Sequence, residues 1–167
     1  LKTTGDTLYY SQQGHSFVEP IVEDEVVVDR RRTTSGDTHV YNTTDPAAPD
    51  HASTINASGR LLRTDDRLVV FERDRLVGYD VSEPSAPEQT WTHTLNGSVV
   101  STRLLNGTIY LVTESSVSAN DCAVEPLGGA AEIRCTDIYR PGGQIATDVT
   151  YTAISMDPTD GSIGETT

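Results

Sequence analysis

No segment of this chain keeps apolar residues at helical spacing for three turns. The apolar residues come instead in short runs cut by polar turns, which reads as strands throughout. Leu68-Val-Val-Phe71 is apolar, β-branched or aromatic at every position and suits a strand buried on both faces. Arg73-Asp74-Arg75 is a polar turn. Leu76, Val77, Tyr79 and Val81 form a second run that ends at Ser82. Pro84 and Pro87 cannot donate to a ladder, so sheet pairing must stop there. The layout recurs upstream: Tyr41, Asp45, Pro46 and Pro49 match Tyr79, Glu83, Pro84 and Pro87, each 38 residues apart. Downstream, Leu104 to Val112 echoes Leu61 to Val70, and Thr152 to Pro158 echoes Leu76 to Pro84. An all-strand repeat of roughly 40 residues is the signature of propeller blades of four strands each.

The spacing predicts an all-β chain, a partial β-propeller of about three four-stranded antiparallel blades. The blade-like units are 1–56, 57–95 and 96–167, interrupted by insertions at 12–37 and 114–147. In the clearest unit, strands are expected over Arg60–Arg63, Arg67–Glu72, Leu76–Ser82 and Gln89–Leu95. Asn96-Gly97 and Asn106-Gly107 are hairpin signals. Val26-Val-Val28 reads as a strand inside the first insertion. Arg30-Arg-Arg32 beside it reads as a solvated loop balancing nearby acids, or as an anion holder. Trp91, the only tryptophan, is expected between blades, the other reading being a sugar-stacking ring.

Charge changes the picture of the setting. Of 167 residues, 25 are acidic, and Lys2 is the only lysine among 12 cations, giving a net charge of −13. Such a surface repels nucleic acid and acidic lipid, so no nucleic-acid partner is expected. Dispersed acids with almost no lysine suit a chain kept soluble in concentrated salt, the plainer reading being an ordinary acidic domain. No apolar run approaches the ~18 residues of a membrane span.

Candidate chemistry is sparse. Cys122 and Cys135 share the second insertion, without C-x-x-C spacing and without a histidine pair at zinc spacing. A disulfide fits them and implies an oxidising compartment; two free thiols is the alternative. Asn42, Asn56, Asn96 and Asn106 each begin N-x-[ST] at strand ends or turns, as glycan acceptors or as simple turn residues. His15, His39, His51 and His93 are scattered and read as structural or exposed. Asp157-Pro-Thr-Asp160-Gly161 reads as a plain turn, with calcium binding as the other reading. The sequence selects no catalytic serine among fourteen, no catalytic residue of another kind, no metal site and no cofactor.

Gly5 to Tyr10, Tyr79 to Pro87, Ser101 to Thr113 and Thr136 to Pro141 resemble the secreted β-propeller domain proteins of archaea and bacteria. The D-V-S-x-P-x-x-P corner also resembles LVIVD-type propeller repeats. The resemblance implies an extracellular or cell-surface propeller longer than this chain and carries no catalytic residues with it. The expected function is a non-enzymatic envelope module that binds protein or glycan; the alternative is an envelope hydrolase or lyase with its site at the propeller mouth. An open arc leaves two blade faces without a neighbour, expected to show Leu8 and Tyr10 at one end and Tyr151 and Ile154 at the other. Association through the terminal blades, or with the rest of a longer chain, should cover them.

Overall fold

The computed structural model describes residues 1–14, 16–23, 26–33, 36–117, 123–139, 142 and 148–167, with only the backbone of 16–23 and 26–33. Three four-stranded antiparallel sheets follow one another along the chain. The first runs β1 (Lys2–Thr4), β2 (Thr7–Gln12), β5 (Asp37–Asn42), β6 (Asp50–Ile55). Between β2 and β5 stands a separate two-stranded hairpin of β3 (Ser16–Glu23) and β4 (Val26–Thr33). The second sheet is β7 (Arg60–Arg63), β8 (Arg67–Phe71), β9 (Arg75–Asp80) and β10 (Glu88–Thr94), in that spatial order. The third is β11 (Ser98–Leu105), β12 (Thr108–Ser116), β14 (Val149–Met156) and β15 (Ile163–Thr166). Among the described residues between β12 and β14 lie the short strand β13 (Pro126–Gly129) and a 3-10 turn, Cys135–Asp137.

The sheets stack face to face, and two apolar layers join them. Tyr9, Val40 and Ile55 of the first sheet meet Leu61, Leu68, Val70, Val77 and Tyr79 of the second. Val69, Phe71, Leu76 and Trp91 on the other face of the second sheet meet Ile109, Leu111, Ile154 and Met156 of the third. Successive residues of a strand point to opposite faces, so Leu68-Val-Val-Phe71 feeds both layers, which is why that run has no polar position. The first strands of the first two blades meet, β1 packing against β7. At the other edge β13 packs against β10 and β12, with Leu127 buried in the layer between the second and third sheets.

Trp91 fixes that second interface. It is 8% exposed, and its Nε1 donates to the Pro158 carbonyl at 3.0 Å. The ring lies against two glycines. A Cβ on Gly78 would fall 2.1 Å from ring carbon Cε2, and one on Gly161 would fall 2.7 Å from Cδ2.

Both insertions occupy the same place in their blades, the connection from second to third strand. In the second blade that connection is the short turn between β8 and β9. One rim of the arc carries all three. Ser58 N donates to Glu72 Oε1, Leu95 N to the Asp74 carbonyl, and Ser115 Oγ to the Asn96 carbonyl.

Two expectations need correction. Arg30–Arg32 lie within strand β4, paired with Glu19, Val18 and Phe17 of β3, and not in a loop. Ile154 belongs to the inner layer at 2% exposure and not to an open end. It stands three residues from Tyr151, an odd number that puts the two on opposite faces of β14.

Candidate binding faces

The repeat register decides which face of each sheet should be covered. His39 and Tyr41 occupy the places of Val77 and Tyr79, both buried against the first blade. Leu8 pairs with Tyr41 as Leu68 pairs with Tyr79, and Tyr10 pairs with His39 as Val70 pairs with Val77. In the second blade these places form an inter-blade core. In the first blade they form an open face, with Tyr10 43% exposed.

The opposite end shows the same relation. Ile109 and Leu111 of β12 point to the second blade. Tyr110 and Val112 point away, at the places where Val69 and Phe71 stand in the second blade, and Tyr110 is 48% exposed. Tyr151, 57% exposed, sits opposite Glu114 on this face, with exposed Val149 near the end of the same ladder. The Tyr151 hydroxyl donates to the Glu114 carboxylate, which holds its proton and pushes its pKa above the usual phenol range. Two open faces, one at each end and each carrying aromatic side chains, are thus built in the register of the buried interfaces between them.

The arc's first strands have their own electrostatics. Strands β1, β7 and β11 carry Lys2, Arg60, Arg63 and Arg103 and no carboxylate, in a chain with 25 acids. The Arg63 guanidinium lies over the buried Tyr9 ring, 5.5 Å from its centroid. Arg67 instead spends its charge on Asp80 at 2.6 Å.

The residues singled out in the sequence fall as follows. Cys135 starts the 3-10 turn and is not free, while Cys122 lies outside the described residues. Asn42, Asn56, Asn96 and Asn106 are all exposed. Asn42 Oδ1 accepts from Thr44 N and Thr44 Oγ1 at 2.8 and 2.7 Å, so the sequon closes its own turn. Asn96 Nδ2, the nitrogen a glycan would take, donates to the Glu125 carbonyl at 2.9 Å. Asn106 tips its hairpin in the left-handed region at φ 51°. Asp157 and Asp160 spend their Oδ1 atoms on the backbone N–H groups of Thr159 and Ser162. His93 Nε2 meets the Gly161 carbonyl at 2.7 Å, and His15 lies outside the described residues. Among the described residues no three of His, Cys, Asp and Glu gather as metal ligands, and no helix is long and apolar enough to cross a membrane.

A sheet arc built on one repeated register, with the equivalent face open at each end, is the pattern of a known family. The model of the beta propeller domain family matches residues 9–164. The chain belongs to that family. Propeller blades are therefore the units described above. An uncharacterised protein of Archaeoglobus fulgidus is 31% identical over 113 residues, 65% of this chain and 18% of that protein. An uncharacterised protein of Methanocaldococcus jannaschii is 37% identical over 82 residues, 47% of this chain and 13% of that protein. The chain thus spans less than a fifth of the length of these relatives. No solved structure matches it.

Proposed function

We propose that this chain is a three-blade propeller segment of a non-enzymatic binding module for protein or glycan at the cell envelope. Its two open faces receive further blades of the same kind. One observation carries the docking part: positions that are core between blades stand exposed at both ends, in the same register. The length of the relatives supports it, because each has room for several more blades. The carboxylate-free first strands line the inner edge of the arc, so an acidic ligand suits that edge better than a basic one. The acidic, lysine-poor surface supports a setting in concentrated salt, and the exposed sequons of Asn42, Asn56 and Asn106 leave room for the glycans of an extracellular one. A bond from Cys135 to Cys122 belongs to the same setting.

Multi-angle light scattering over a concentration series tests the docking. In the isolated chain a second copy supplies the missing blades, so the mass should rise above 18.1 kDa with concentration. Tyr110→Lys with Tyr151→Lys should hold it at the monomer value. A parent chain that stays at the monomer mass at every concentration would refute docking at these faces.

A further inference from the structure

We infer that His39 and His51 form a binding site for a nitrogen-preferring divalent metal ion of the zinc, nickel and copper class. His39 lies on β5 and His51 on β6. His39 Nδ1 is 3.4 Å and His51 Nε2 3.0 Å from one atom, the Thr54 hydroxyl oxygen. The ring centroids are 5.8 Å apart at 61°. Two imidazole nitrogens thus converge on one point of an open sheet face.

The convergence is built by backbone geometry. His51 and Thr54 are three residues apart, and a regular strand would put them on opposite faces. The ladder between β5 and β6 shifts register there: Val40 faces Ser53, but Tyr41 faces His51. Ala52 is the extra residue, and the bulge turns His51 onto the face that holds Thr54 and His39. The second blade has the same bulge, with Gly78 facing Trp91 and Tyr79 facing Gln89. Its equivalent side chains are Val77, Gln89 and Thr92, so only the first blade places imidazoles there.

Tyr41 frames the pair, its ring edge-on to His51 at 5.5 Å and 6.3 Å from His39. Packing of this kind limits the rotamers that the imidazoles can adopt. Zinc binds imidazole nitrogen at ~2.0–2.1 Å, so the two nitrogens close on the ion as Thr54 Oγ1 turns aside. Neutral imidazole is the ligand, and the ion's remaining positions open outward to water or to a donor from whatever covers the face. The site stands on the geometry of this blade and does not depend on ring closure.

Isothermal titration of the untagged chain with zinc and with nickel, at a concentration where light scattering gives the monomer mass and in excess magnesium to occupy carboxylate oxygens, tests this. One saturable equivalent per chain is expected. His39→Ala and His51→Ala should each weaken it by at least the roughly 10-fold that loss of even an outer-shell partner costs. His93→Gln should leave it unchanged. Circular dichroism melts show whether the variants fold. Histidine ring resonances of the parent chain, where paramagnetic nickel should broaden those of His39 and His51 first, give a reading with no substitution. Absence of saturable uptake would overturn the proposal. So would uptake unchanged in both alanine variants, or broadening confined to His15 or His93.

Discussion

Replacing Trp91 should loosen the second and third blades together, and the size of the effect follows from what surrounds the ring. Trp91→Ala empties a slot with Gly78 and Gly161 among its walls and leaves the Pro158 carbonyl without its donor. Large-to-small substitution of a buried tryptophan costs about 3–5 kcal/mol. For a chain of this length each kcal/mol lowers Tm by about 2–4 °C, so the expected fall is roughly 6–20 °C. Trp91→Phe keeps an aromatic ring but loses the N–H, and should cost about 1–3 kcal/mol. Gly78→Ala attacks the same slot from the other side. Its methyl would meet the indole at 2.1 Å, and overpacking of this kind costs about 1–3 kcal/mol. Far-UV circular dichroism melts measure all three. In the glycine variant the single tryptophan also reports by its own emission, which should shift toward that of exposed indole at a lower temperature than in the parent. A Tm for Trp91→Ala within about 2 °C of the parent would refute the idea that this ring joins the blades.

Three further outcomes are expected. Intact mass under non-reducing conditions should show Cys122 joined to Cys135; two thiols alkylated without reductant would remove the bond. Stability should rise with salt into the molar range, because screening shortens from ~30 Å at 0.01 M to ~3 Å at 1 M. A Tm that is flat across that range would show that the acids serve no salt-dependent folding. Asp80, Asp137 and Asp160 are held below the usual carboxylate range, chiefly by donors from Ser82, Arg134 and Ser162 respectively. Their folded pKa values lie below the unfolded ones, so their contribution is present above pH ~4 and is lost as pH falls through the folded values. Tm should therefore drop on acidification below pH ~4, and Ser82→Ala should make that drop shallower; an unchanged pH profile would remove Asp80 from the account.

The second blade was legible almost residue by residue. Asp65-Asp66, Arg73-Asp74 and the Pro84–Pro87 corner punctuate each of its strands, so local turn chemistry and tertiary pairing agree. The first insertion was half legible. Val26-Val-Val28 announced β4, but Pro20 and the charges at Glu19 and Glu23 hid its partner β3. Strand β13 was missed because two of its four residues are glycine, which weakens any strand signal. Of the end-face residues, Leu8, Tyr10 and Tyr151 were found from the repeat. Ile154 was misassigned although counting alternation from Tyr151 would have placed it inward. The imidazole pair could not be read at all: it depends on one extra residue in a ladder, and periodicity does not reveal where a bulge falls.

The shared rim has a consequence for how this molecule can be enlarged. Two blades already carry long excursions between their second and third strands, and the stacked sheets remain in register beneath them. The middle blade makes the same crossing at Arg73-Asp74, an exposed tip flanked by two excursions. Opening a loop costs only ~0.6 kcal/mol for each doubling of its length, so a guest peptide spliced there should burden the blades little. It would stand on the same side as its two neighbours. The fold therefore behaves as a board with one socket per blade, two filled and one vacant, and the vacant socket is the place to display a foreign sequence.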